Sequence, residues 1–181
     1  MRLRADKLKK LAARQGLSVE QLAQAVASAG LDPDKAVSAV RNWMAGRDQP
    51  RCRAEHIAAL ARAVGAQPAE IARFTSEVRF HRGSPRKAKL VADMVRGKPV
   101  DEALNVLAFT PQRAAVNLRK ALSAAISDAE LADADVTELV VCETRVDGGP
   151  HIKRFQPKDR GRAHPILKRT SHLTISVQER D

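Results

Sequence analysis

The chain has 181 residues, with 32 Lys and Arg against 21 Asp and Glu and a formal net charge of +11. That length holds one ordinary domain or two small ones, and the charge favours a polyanionic partner over a small acidic substrate. With four Phe, one Trp and no Tyr, stacking of splayed bases on aromatic platforms is disfavoured, which leaves backbone and shape contacts.

Cys52 and Cys142 lack the paired spacing of a zinc site and read as free thiols of a reducing compartment. The opening MRLRADKLKK has no apolar core of secretory-signal length, and no run approaches a membrane span. The expectation is a soluble, cytoplasmic protein.

From Lys7 to about Arg73 the pattern is helical. Leu8, Leu11 and Ala12 make a stripe ending at Gly16, and Ser18 with Gln21 forms a capping box before Leu22, Ala23 and Val26. Gly30 closes that helix, and Asp32 before Pro33 opens a third through Val37, Val40, Trp43 and Met44. Ile57, Leu60, Ala61 and Val64 form a fourth, stopped by Gly65, and Pro68–Ala69–Glu70 predicts one more turn at Ile71. SVEQLAQAVA, AVRNWMAGRDQP and HIAALARAVGAQPAEIARF resemble the helix-turn-helix fold of the phage-repressor (Cro and cI) type over roughly residues 5–74. Two features depart from it: extra residues around SAGLDPDKA lengthen the turn, and Asp32 and Asp34 open the third helix, where negative charge opposes DNA docking. A structural, RNA-contacting or protein-contacting use of this bundle is favoured over sequence-specific DNA binding.

At Phe74 the period changes. Phe74, Ser76, Val78 and Phe80 alternate with Thr75, Glu77 and Arg79, predicting a strand and a second domain. Ser84 and Pro85 open a helix to Gly97 with Ala88, Leu90, Val91, Met94 and Val95 on its apolar side and Arg86, Lys89 and Arg96 opposite. A short helix follows over Ala103, Leu104, Val106 and Leu107. Thr110 and Pro111 open a longer one with Ala114, Leu118, Ala121, Leu122, Ala125 and Ile126 inward. The fold class expected is two domains: an all-α helix-turn-helix-like bundle (1–73), then an α+β domain (74–181) of three helices on a small antiparallel sheet with a long extended β-hairpin.

That hairpin is the most charged stretch. Between the Val-rich strand Leu139 to Asp147 and the alternating strand from Leu173, HIKRFQPKDRGRAHPILKRTSH carries seven Lys or Arg against Asp159 alone. The arm spans about 147–172, with a bulge or bend at Asp147–Pro150 and a turn near Lys158 to Gly161. At ~3.3 Å per residue it reaches about 35 Å, and so charged a ribbon orders on a polyanion. His151, His164 and His172, with Glu143, Asp147 and Asp159, lie along an extended ribbon and do not converge, so no metal, cofactor or catalytic site is expected.

Taken together, RGSPRKAKLVADMVRGKPVDEAL, RAAVNLRKALSAAISDAE and VDGGPHIKRFQPKDRGRAHPILKRTSHLTISVQE are similar to the bacterial large-subunit ribosomal protein number twenty-two, over about Phe74 to Asp181. The resemblance implies a structural, ribosome-bound constituent of the large subunit. Its hairpin would run through rRNA to line the peptide exit tunnel, with the globular part at the subunit's outer surface around the tunnel mouth. By matched position it implies rRNA contacts from Arg82, Arg86, Lys87, Lys89, Lys98, Lys153, Arg154, Lys158, Arg160, Arg162, Lys168 and Arg169. It puts Ile152, Lys153, Arg154, Lys158, Asp159, Arg160, Gly161 and Arg162 along the tunnel, Asp159 and His164 lying in a variable part of the tip. The implied partners are large-subunit rRNA, neighbouring ribosomal proteins and the nascent peptide. The alternative is a DNA-binding regulator, including one repressing its own synthesis, acting through residues 1–73.

Overall fold

The computed structural model, which describes residues 1–180, opens with a two-residue strand, β1 (Arg2–Leu3), ahead of the stretch whose pattern is helical. The chain divides into two units, Met1–Phe74 with Asp128–Asp135, and Thr75–Ser127 with Val136–Arg180.

In the first unit the helices are α1 (Ala5–Gln15), α2 (Val19–Ala27), α3 (Pro33–Met44) and α4 (Ala54–Ala63). Gly16 ends α1 in the left-handed region at φ 64°. The capping box forms: the Ser18 N–H donates to Gln21 Oε1 at 2.9 Å and the Gln21 N–H to Ser18 Oγ at 3.3 Å. Asp32 stands at the α3 N-cap but makes no cap bond; its carboxylate pairs with Lys35 at 3.3 Å. Leu8, Leu22, Val26, Val40, Ile57 and Leu60 are wholly buried. The expected turn of helix at Pro68–Ile71 is a turn only. Chain direction changes there because the next strand, β2 (Ala72–His81), starts two residues before Phe74: Ala72 and Arg73 pair with Leu3 and Arg2 of β1. Arg4 reinforces the corner, its N–H donating to the Ile71 carbonyl at 2.8 Å and its guanidinium to the Glu70 carbonyl at 3.1 Å.

The second unit comprises the rest of β2, the helices α5 (Pro85–Val95), α6 (Val100–Phe109) and α7 (Arg113–Glu130), and the strands β3 (Leu139–Gly148), β4 (Ile152–Pro157), β5 (Ala163–Lys168) and β6 (Ser171–Glu179). β6 lies between β2 and β3 and runs antiparallel to β3. The inward residues expected on α7 are all buried. The helix begins at Arg113 and not at Thr110, whose hydroxyl instead donates to the Val106 carbonyl at 2.6 Å at the end of α6.

Two expectations need correction. Leu90 and Met94 are 70% and 45% exposed; at 3.6 residues per turn they follow Arg86 along the outer side of α5, while Ala88, Val91, Ala92 and Val95 take the inner one. Phe80 is exposed because its backbone turns left-handed, φ 56°, which breaks the strand's alternation, and its ring meets His172 edge-on at 4.9 Å. Thr174 and Ser176, which alternate with Leu173, Ile175 and Val177, are buried as well, and the Ser176 hydroxyl bonds that of Thr75 on the neighbouring β2 at 2.9 Å.

Beyond Gly148 and Ser171 the ladder breaks and resumes as the two-stranded β4–β5 arm, paired from Ile152↔Lys168 to Pro157↔Ala163. Three residues, Gly149 to His151, face two, Arg169 and Thr170, so the outgoing strand carries one extra residue. This is a bulge at the root of the arm. Two bonds close it, from the Gly149 N–H to the Thr170 carbonyl at 2.9 Å and from the Thr170 hydroxyl to the Pro150 carbonyl at 2.7 Å. A Cβ on Gly149 would lie 2.5 Å from Thr170 Oγ1 and 3.3 Å from the Thr170 carbonyl carbon. Gly149→Val therefore opens the root, and limited proteolysis is expected to cut between residues 148 and 172 several-fold faster while leaving the β3–β6 ladder protected.

Candidate nucleic-acid interface

Basic side chains of the second unit gather in three places. On α5, Arg86, Lys87 and Lys89 are exposed, next to the uncovered Leu90 and Met94. At the arm's root, Arg82, Lys168 and Arg169 line a concavity of about 400 Å³ with Gly83, Ser84, Ile152 and Leu167. At the tip, Lys158, Arg160 and Arg162 surround a smaller hollow with Asp159 and His164.

The tip turns because Arg160 and Gly161 both adopt left-handed backbone, φ 59° and 71°. The Lys158 N–H then reaches the Arg162 carbonyl at 2.7 Å, and the Arg162 N–H reaches the Asp159 carbonyl at 3.3 Å. Gly161 adopts this conformation freely, whereas Arg160 does so against the preference of its Cβ. A guanidinium therefore stands where a smaller residue would be easier to accommodate.

Not every cation is equally available. Lys98 is half-buried and paired with Glu102. Arg96, expected beside Arg86 and Lys89, is committed to the fold: its guanidinium donates to the Thr144 carbonyl at 2.7 Å and hydroxyl at 3.1 Å and pairs with Asp93 at 2.9 Å. Arg154 folds back onto the Lys153 carbonyl at 2.8 Å, and both side chains remain exposed.

The arm also has apolar residues that a charge count passes over. Pairing puts Phe155 opposite Pro165 and Lys153 opposite Leu167, so Phe155, Pro165, Leu167, Pro157 and Ala163 share one face with Lys153. Ile152, Arg154, Gln156, His164, Ile166 and Lys168 share the other. Phe155 is 74% exposed. The signal was present in the alternation of IKRFQP and AHPILK, but it becomes legible only once the register is known.

Residues 76–178, more than half of the chain, match the family model described as Ribosomal protein L22p/L17e. The chain belongs to the ribosomal protein L22p/L17e family. The L22p/L17e match takes in β2 from Ser76, all three helices of the second unit, the arm and β6 as far as Gln178. Membership gives the chain a structural role in the large ribosomal subunit. The four helices of the first unit lie outside the L22p/L17e match. No helix among the described residues is long and apolar enough to cross a membrane, and no cluster of three or more His, Cys, Asp or Glu among them could hold a metal ion.

Two buried histidines make the fold sensitive to pH. Burial holds His81 below its ordinary value of 6.5, with the Arg113 charge adding to the effect, and its Nδ1 lies 2.6 Å from the Asn117 amide. Burial also lowers His56, helped by Arg53 and opposed by Glu55, and its Nδ1 accepts the Arg53 N–H at 3.3 Å. A base with a depressed folded-state pKa leaves the unfolded chain to take up protons first. Stability is thus full above about 6.5 and falls as pH drops toward the folded-state values. Melting temperature is expected to decline from pH 7.5 to 5, less steeply in His81→Gln and His56→Gln.

Proposed function

We propose that this protein binds large-subunit rRNA through the α5 cations and the arm, and that the arm lines the peptide exit tunnel with its tip toward the nascent chain. The globular part of the second unit would lie at the subunit surface near the tunnel exit. The observation that carries this reading is the sharp turn at Lys158–Arg162, which gathers three cations at the end of a two-stranded arm with little of its own to bury. Guanidinium forks meet phosphates bidentately, Gly161 permits the turn, and Pro157 and Pro165 reduce the entropy lost when the arm orders. The exposed Phe155 face gives the same arm an apolar contact with nucleotide or neighbouring-protein surfaces. Arg82, Lys168 and Arg169 bind at the root, Arg86, Lys87, Lys89 and Lys98 on and beside α5, and Ile152, Lys153 and Arg154 approach the tunnel wall along the arm. Asp159 softens the positive potential at the tip.

For the first unit, the resemblance to a repressor-type helix-turn-helix does not favour DNA readout. Asp34 is exposed in the first turn of α3 and five residues separate that helix from α2. Sucrose-gradient sedimentation of a lysate tests the whole reading. The protein is expected at one copy per large subunit, and a predominantly free or nucleoid-bound pool would instead support the regulator.

A further inference from the structure

The first unit carries an open hollow of about 660 Å³ between the end of α2, the loop after α3 and the start of α4. Leu31 and Pro50 supply apolar wall, and Arg51, Arg53 and His56 line it with them. No Asp or Glu is among the lining residues. Of the two carboxylates closest in the chain, Asp48 accepts the Cys52 N–H at 2.8 Å, and Glu55 is exposed on the first turn of α4. Arg51 and Arg53 are exposed, and among the described residues neither takes part in an ion pair.

The two arginines break a rule of helix stability. Arg53 is the N-cap of α4 and makes no side-chain cap bond, where Ser, Thr, Asp or Asn is the stabilising choice. A helix N-terminus is a positive end with unsatisfied N–H groups, so cations there add repulsion and satisfy no donor. Local rules are broken where a site needs them broken, and an anion in the hollow supplies the missing charge.

His56 points to a ligand independently. Its ring is 5% exposed and stacks on Trp43, centroids 5.4 Å apart. Nδ1 accepts the Arg53 N–H at 3.3 Å, so the neutral ring carries its proton on Nε2. That N–H has no hydrogen-bond partner among the described residues, and a buried donor in the wall of a hollow is left for whatever fills it.

We propose that Arg51, Arg53 and His56 form a site for one nucleotide of a single-stranded RNA, with the phosphate on the guanidinium groups and the base against Leu31 and Pro50. Guanidinium forks suit phosphate oxygens. The volume lies within the range of about 300 to 1,000 Å³ usual for ligand pockets, more than an inorganic anion fills. Such a site fastens the first unit to RNA with little reading of sequence, since phosphate contacts position and do not specify. It stands apart from the L22p/L17e reading, because residues 76–178 leave it out.

Trp43, the single Trp of the chain, touches the site through His56 and through its indole N–H, which donates to the Pro50 carbonyl at 2.5 Å. Its emission, excited where nucleotides do not absorb, therefore reports on this site in the intact protein. The full chain is titrated at constant ionic strength against a uridine tetranucleotide lacking terminal phosphates, against uridine monophosphate and against inorganic phosphate. A saturable change with the tetranucleotide is expected, its midpoint weakened at least tenfold in R51Q/R53Q and unmoved in the arm variant R160Q/R162Q. Because both cations oppose the α4 dipole, R51Q/R53Q is expected to melt no lower than the parent; a lower melting temperature would mark the arginines as structural and overturn the proposal. Arg51→Gln alone, outside the cap position, is expected to weaken the midpoint several-fold. Saturation by uridine monophosphate but not by the tetranucleotide would overturn the RNA assignment, and an equal midpoint for inorganic phosphate would overturn the nucleotide. No saturable response to any probe, or an unshifted midpoint in R51Q/R53Q, would overturn the site itself.

Discussion

Replacing Arg160 and Arg162 with Gln is expected to weaken binding to large-subunit rRNA and to flatten its salt dependence. Each phosphate left without its cation takes about 0.7 to 0.9 off the slope of log K against log salt, because the counterions that a bound cation displaces are no longer released. The effect should be this large because both side chains are exposed at the tip. Arg96→Gln provides the contrast. Its guanidinium is spent on Thr144 and Asp93, so that variant should lose stability with little change in slope. An unchanged slope in the tip variant, measured by filter binding from low to moderate salt, would mean that these guanidinium groups do not meet phosphate.

Leu122→Ala is expected to destabilise the second unit by about 2 to 5 kcal/mol, the range found when a fully buried leucine leaves a cavity behind. Leu122 is wholly buried on α7, as is Leu118 one turn earlier, and helices of a small unit have little room to close over the gap. Leu90→Ala tests the corrected face of α5. At 70% exposure it should shift the urea midpoint by no more than about 0.5 kcal/mol in stability. Were Leu90 on the core side, as its place in the apolar run of the sequence suggests, the two variants would be similarly damaged. Urea titrations followed by far-UV circular dichroism decide between them.

Much of the molecule was legible because it depends on residues close together in the chain. The capping box at Ser18 and Gln21, the glycine stop at Gly16, the proline start at Pro85 and the inward stripe of α7 all act within a turn or two of helix, where backbone geometry sets which side chains meet. The arm was legible for a related reason. Its charge imbalance is a property of composition, and Gly161 marks the Lys158–Gly161 turn, although that Arg160 is left-handed too was visible only in the structure.

Tertiary structure decided what depends on distant partners. Leu90 and Met94 look like core by type, but the neighbours of α5 cover only one side of it. Thr174 and Ser176 look like a solvent face by residue type, but both are buried, and Ser176 bonds Thr75 of a strand about a hundred residues away in the chain. Arg96 reads as one more cation of a basic helix until Thr144, far along the chain, takes its guanidinium. The register of β4 and β5 turns two unremarkable hexamers into one mainly apolar face, with Lys153 as its one cation, and one mixed face. The ladder of β1 and β2 likewise brings Arg2 beside Arg73. By itself the sequence determined the helices and the charged arm, since propensity, capping and net charge act locally or in bulk. Which cations stay exposed, and which are held by the fold, was decided only by packing between residues the chain keeps far apart.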